Sequence, residues 1–198
     1  MDRQSLEASL GEATRAARAL LGCTLVRTTP AGLRRARIVE TEAYPAGDPA
    51  CHAFRGETRR NRSLFARRGH IYVYRIHRSV CLNVATGRPG HGEGVLIRAV
   101  EPVEGVDLME RARTRASVGR QMPSGVNLTN GPGKLCQALD IELELDGFDL
   151  LAARDGAPLR VLPRRLAPPI VATPRIGISV AKNELLRFVI RDSAWASR

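Results

Sequence analysis

Lysine is nearly missing from this chain: Lys134 and Lys182 are the only two among 31 basic residues. Amine chemistry therefore has few places to occur, and arginine carries the positive charge. Cysteine is sparse as well. Cys23, Cys51, Cys81 and Cys136 form no Cys-x-x-Cys pair and no dense pattern, which excludes a disulfide scaffold and suits a reducing, intracellular setting. Met1–Ser5 has no apolar run, so no signal peptide is expected. No stretch approaches membrane-spanning length, so no membrane association is expected. His52, His70, His77 and His91 lack the tight spacing of zinc ligands, so neither a metal nor another cofactor is expected. The full phosphate-loop pattern is absent too: Gly131-Pro132-Gly133-Lys134 resembles it only superficially.

What is present is a chain of 198 residues, 43% hydrophobic, with a formal net charge of +11. That length builds a real core within one domain. The charge points to nucleic acid or another polyanion, with a solvated basic surface as the plain alternative. Arginine suits the first reading, because its planar fork grips phosphate and stacks on bases.

Residues 5 to 22 have helical spacing of Leu6, Leu10, Ala13, Ala17 and Leu20. Strands are predicted over Cys23 to Arg27 and Leu33 to Tyr44, around a Pro30/Gly32 turn. Residues 45 to 69 read as a long loop with at most a short helix near Asn61 to Ala66, and such loops are often functional. A strand from Ile71 to His77 pairs with Val80 to Val84 as a hairpin, and Gly94 to Val100 is a further strand. Helices are predicted over Val106 to Arg115 and from Lys134 to Leu139, separated by a polar loop at 117 to 127. Leu150-Leu151 and Leu159 to Leu162 read as short strands, and Pro163 to Pro174 as a basic connection. Arg175 to Ile178 and Leu186 to Arg191 are expected to close the sheet. The pattern is α+β, with hairpin strands and no repeats or linker.

The richest segment is Arg37-Ile38-Val39-Glu40-Thr41-Glu42-Ala43-Tyr44. On a strand, Glu40, Glu42 and Tyr44 share a face. Glu40 is expected to pair with an arginine. Glu42, between Thr41 and the small Ala43, has room for a water and a substrate. Aromatic residues make up only 4% of the chain, yet Tyr44, Tyr72 and Tyr74, its only tyrosines, fall on two strands. Beside an acid they suggest a stacking pocket, although buried strand tyrosines are ordinarily core. Arg55, Arg59, Arg60, Arg62, Arg67 and Arg68 form a basic cluster in the flanking loop, suited to phosphate contacts or to solvent. The backbone amides after Gly131 could also hold a phosphate.

At these residues the chain resembles the alkyladenine (3-methyladenine) DNA glycosylase family, of the monofunctional mammalian and bacterial type. Glu-Thr-Glu-Ala-Tyr at 40–44 and Gly-Pro-Gly-Lys-Leu-Cys-Gln-Ala-Leu at 131–139 carry the likeness. Ala50 to His52, Arg60-Asn61-Arg62, Cys81-Leu82-Asn83, Val95 to Pro102, Arg175-Ile176-Gly177 and Ser193-Ala194-Trp195 follow in the same order. The resemblance implies a single glycosylase domain over 1–198. It would be a mainly antiparallel curved sheet with a DNA-inserting β-hairpin and surrounding helices. The implied roles are Glu42 as the base that activates water, with Arg98 and the Ile176 carbonyl beside that water. Tyr44, His52 and Tyr74 would stack on a flipped base, and Asn83 would crowd the 2-amino group of guanine at the pocket floor. His77 stands where the family places a wedging tyrosine, flanked by Arg75 and Arg78; Arg60, Arg62 and Lys134 would also meet DNA. The implied partner is double-stranded DNA containing alkylated bases, bound by a monomer in the cytoplasm, or at the nucleoid if bacterial. No lyase step is expected. A binding protein without turnover, and a hydrolase or transferase acting on a small substrate, are the competing classes.

Overall fold

A computed structural model describes residues 1–76, 78–116 and 123–197. Two short helices, α1 (Arg3–Ser9) and α2 (Ala13–Leu20), replace the single helix expected from the spacing. Gly11 interrupts the run. Glu12 then restarts it by accepting the backbone N–H groups of Thr14 and Arg15, at 2.6 and 2.8 Å. The buried face of α2 is mostly alanine, which lets it lie close on the sheet. There the Thr41 hydroxyl donates to the Ala17 carbonyl at 2.9 Å.

The sheet is antiparallel throughout and curled. Its strands are β1 (Thr24–Thr29), β2 (Gly32–Tyr44), β3 (Ile71–Ile76), β4 (Ser79–Ala85), β5 (Gly94–Glu104), β6 (Leu159–Leu162), β7 (Ile170–Thr173) and β8 (Arg187–Ile190). The order is β3-β4-β5-β2-β1-β6, with β8 joining β2 to β7. At 13 residues β2 is long enough to change partners: its first half pairs with β1, and Glu40–Glu42 pair with β8. Helices α3 (Val106–Ala116) and α4 (Pro132–Ala138) complete the α+β arrangement. Leu25, Ile38, Leu82 and Ile97 have no exposed surface at the centre of the core. Each contributes roughly 1.5–3 kcal/mol by leaving water.

Some elements differ from expectation. Leu150-Leu151 is not a strand; the adjacent Asp149 makes only an isolated bridge to His70. The connection before Pro174 contains β7, because Ile170-Val171-Ala172-Thr173 find a partner in β8 that local sequence does not reveal. Arg175 to Ile178 is not a strand either. Strand β5 runs past Pro102, which pairs with Ala36 beside a register irregularity, a place where a missing N–H is tolerated. The hairpin pairs β3 with β4 from Ile71–Val84 to Ile76–Ser79. His77, the expected wedge, lies outside the described residues, as does most of the polar loop at 117 to 127. Among the described residues no helix is long and apolar enough to cross a membrane.

Candidate active site

Besides the irregularity at Ala36, the acid strand β2 and its neighbour β5 fall out of register around Glu40. Ile38 faces Val100, Glu40 faces Ala99 and Thr41 faces Ile97, so Val39 and Arg98 have no opposite residue. Such irregularities re-aim side chains. Here Arg98 is turned between the two acids of β2. Its Nε donates to Glu40 Oε1 at 3.0 Å, and its Nη1 lies 3.2 Å from Glu42 Oε1.

Glu42 is wholly buried. Part of the space expected around it is taken by donors. The Ile176 N–H donates to Oε1 at 2.8 Å, and the Tyr44 hydroxyl donates to Oε2 at 2.8 Å. Burial, and then the Glu42 charge, push the Tyr44 phenol far above its ordinary value, so it stays a donor. The Ile176 carbonyl accepts from Arg98 Nη1 at 3.3 Å. One residue thus offers its N–H to the acid and its C=O to the arginine. Gly177, at φ +78°, turns the chain immediately afterwards. The segment 175–178 serves the site because it is not a strand: both backbone groups of Ile176 point at side chains.

Tyr44, Arg98 and Ile176 form part of the wall of a cavity of about 560 Å³, with Glu42 directly behind them. His52, Tyr72, Tyr74 and Asn83 supply further wall. The rings of Tyr72 and Tyr74 stack with centroids 5.3 Å apart, and His52 meets Tyr74 edge-on at 4.5 Å. Burial raises both tyrosines, Tyr72 to about 12. His52 Nδ1 lies 3.1 Å from the Tyr72 hydroxyl. Desolvation, and then the Arg60 guanidinium, hold its imidazole below the usual value, so the ring is neutral at pH 7. Asn83, buried opposite Tyr72, donates to the Tyr72 carbonyl at 3.1 Å.

A family model described as methylpurine-DNA glycosylase matches residues 7–194. The chain belongs to this family. Membership makes it a DNA glycosylase, a hydrolase of N-glycosyl bonds, and hence a DNA repair enzyme with DNA as its substrate. Similar proteins provisionally named 3-methyladenine DNA glycosylase occur in Methanoculleus marisnigri (49% identical, 92% of each chain covered) and in Mesorhizobium japonicum (48%, covering 91% of this chain and 83% of the relative). A third, from Carboxydothermus hydrogenoformans, is 41% identical over 92% of each chain.

In this glycosylase the residues expected at DNA are dispersed around the cavity. Arg60 and Arg75 reach its mouth, where Arg60 Nη2 donates to the Arg75 carbonyl at 3.3 Å. Arg62 and Arg78 are exposed outside it. Lys134 donates to Asn130 Oδ1 at 2.7 Å. Its helix packs so closely on the hairpin that a Cβ at Gly133 would sit 2.9 Å from Ser79 Oγ.

Several supporting residues were not singled out from sequence. Asn61 ties the long loop: its amide donates to the His52 carbonyl at 2.8 Å and to the Gly56 carbonyl at 3.1 Å, while Oδ1 accepts from the Thr58 N–H. Arg175 lies 4.7 Å from the centre of the Tyr44 ring and is gripped by Asp48, with Nη2–Oδ1 at 3.1 Å. The matching stretches Arg60-Asn61-Arg62 and Arg175-Ile176-Gly177 include both residues, but nothing local points to Asp48 as the partner of Arg175, 127 residues away. Both members of the Asp48–Arg175 pair are buried, at 7% and 0% side-chain exposure. Asp48→Asn should therefore cost about 3–5 kcal/mol in chemical denaturation, because it strands a buried cation. A loss below about 1 kcal/mol would mean that Arg175 finds another acceptor.

Proposed function

We propose that this chain is a monofunctional 3-methyladenine DNA glycosylase that acts in base excision repair. It draws an alkylated purine out of duplex DNA into the Tyr44–His52–Tyr74 cavity and hydrolyses its bond to the sugar. The observation that carries this reading is the buried Glu42 carboxylate, held by two hydrogen bonds and an ion pair with Arg98 and set directly behind an aromatic cavity.

A base inside a duplex is out of reach, so extrusion costs a few kcal/mol. Stacking returns roughly 1–3 kcal/mol per base. Alkylation at N3 or N7 makes the purine cationic, which suits the electron-rich faces of Tyr44 and Tyr74. Two hydrogen bonds, from Tyr44 and Ile176, and the ion pair with Arg98 leave Glu42 with lone-pair capacity for a water. Arg98 Nη1 and the Ile176 carbonyl would flank that water. The water oxygen bonds to sugar C1′ as its proton passes to Glu42. The glycosidic electron pair leaves with the base, which departs neutral and needs no acid. Glu42 also offsets the positive charge that develops on the sugar. Neither lysine is an obvious nucleophile: Lys134 is bonded to Asn130, and Lys182 is exposed.

The test is to incubate the protein with methylated duplex DNA and to measure free base and strand breaks separately. Methylated purine should be released, with breaks appearing only after alkali. Binding without release would favour a damage sensor, and breaks without alkali would require a lyase step.

The depressed His52 value adds a pH signature. Below its reference value of about 6.5 the unfolded chain takes up this proton more readily than the folded one, so this group lowers stability as pH falls. A protonated His52 would also repel a cationic base. Release of 3-methyladenine should therefore decline on the acid side of about pH 6.5, and His52→Gln should remove that step. An unchanged acid limb in His52→Gln would exclude His52 as its source.

A further inference from the structure

We infer that Ser197, acting with Glu40 and Arg187, is a positioning residue that keeps Arg98 from closing onto Glu42. This rests on the reading of Glu42 as the water-activating acid. Arg98 is shared: Nε goes to Glu40 at 3.0 Å, Nη2 to Ser197 Oγ at 3.4 Å, and only Nη1 remains for Glu42 and the Ile176 carbonyl. A guanidinium prefers to grip one carboxylate through two N–H groups. Freed from Glu40 and Ser197, Arg98 would turn its fork onto Glu42 and take the lone pair that the water needs.

Glu40 is itself held from several sides. Its Oε1 accepts from Arg187 Nε at 2.6 Å and from Ser197 Oγ at 2.7 Å, and its Oε2 accepts from the Ser197 N–H at 2.5 Å. Arg187 returns Nη2 to the Ser197 carbonyl at 2.9 Å and Nη1 to Thr173 Oγ1 at 3.1 Å. Ser197 therefore commits its N–H, O–H and C=O to one node, far along the chain from the acids it serves. Two carboxylates, Glu40 and Glu42, balance two guanidiniums, Arg98 and Arg187. A segment held only for stability would not need to bring three polar groups of one residue onto the Glu40–Arg98–Arg187 cluster that sets where Arg98 points.

The Ser197→Ala variant removes the hydroxyl alone. Single-turnover release of methylated purines from dimethyl sulfate-treated duplex, at saturating enzyme, reads the chemical step. Binding to a duplex bearing a tetrahydrofuran abasic analogue reads docking. The rate should fall about ten- to a hundredfold, the scale of a small misplacement, with affinity unchanged and melting within a few degrees. Ser197→Thr should restore the rate. In an Arg98→Ala background, Ser197→Ala should add nothing, because its effect passes through Arg98. Arg187→Lys keeps the charge but loses the fork, and should lower the rate in the same way even if Ser197→Ala proves unstable. Glu42→Gln is run in parallel. A wild-type rate in both Ser197→Ala and Arg187→Lys while Glu42→Gln is inactive overturns the positioning role and leaves Glu42 standing. An additive loss in the Arg98→Ala background also overturns it. A wild-type rate in Glu42→Gln overturns both.

Discussion

Glu42→Gln should cut single-turnover base release by about 10²–10⁴-fold or more, the range assigned to a positioned base, while leaving DNA binding within a few-fold of wild type. The structure makes this substitution unusually clean. The amide oxygen can take the place of Oε1, accepting from the Ile176 N–H as the carboxylate does now and staying beside Arg98. The amide nitrogen then faces the Tyr44 hydroxyl, which can turn to accept instead of donate. Arg98 keeps its ion pair with Glu40 and the Tyr44 hydroxyl borders the cavity, so the fold should survive at some cost in stability. What is lost is the proton acceptor and the negative charge beside the sugar, and neither contributes to holding phosphates. The measurement is release of methylated purine from duplex DNA, paired with a binding assay on the same duplex. Loss of binding in step with loss of excision would identify Glu42 as a structural ion-pair partner of Arg98 and not as the acid that activates water.

Much of the geometry of this site is legible in the sequence. Alternation along β2 puts Glu42 and Tyr44 on one face, and they are bonded to each other; the expected pairing of Glu40 with an arginine is realised twice, through Arg98 and Arg187. The hairpin and the Tyr72–Tyr74 pair follow from a two-residue period. What was not legible depends on contacts between distant segments. Nothing local in Ile170–Thr173 distinguishes a strand from a proline-rich connection until β8 lies beside it. The open space read around Glu42 from its small neighbour Ala43 is partly taken by Tyr44, Arg98 and Ile176, because composition along a strand says nothing of what crosses above it. Likewise the register irregularity that aims Arg98 is a property of two strands together. The resemblance, by contrast, brought forward Arg98 and Ile176, which periodicity alone would have left as an ordinary strand residue and an apolar one.

Affinity for undamaged duplex should fall by about a thousandfold between 50 and 200 mM salt, whereas the single-turnover rate at saturating enzyme should hardly change. The first expectation comes from exposed charge. Arg55, Arg59, Arg60, Arg62, Arg75 and Arg78 are all exposed, while Arg67, engaged by Asp149 at 3.1 Å, is left out of the count. Six phosphate contacts at about −0.9 each give a log–log slope near −5, and a fourfold rise in salt then produces the stated loss. The second expectation comes from burial. Glu42 and Glu40 have no exposed surface and Arg98 only 7%, so mobile ions screen their interactions little. Salt should thus act on arrival of the DNA and not on the bond-breaking step. Arg60→Gln and Arg75→Gln, at the cavity mouth, should each reduce the slope by about 1 and weaken all sequences alike. The checks are equilibrium binding across a salt series for wild type and both variants, with excision rates at saturating enzyme in the same buffers. A slope no steeper than about −1 would mean that this arginine surface is merely solvated, and that DNA is held by the cavity and its aromatic walls instead.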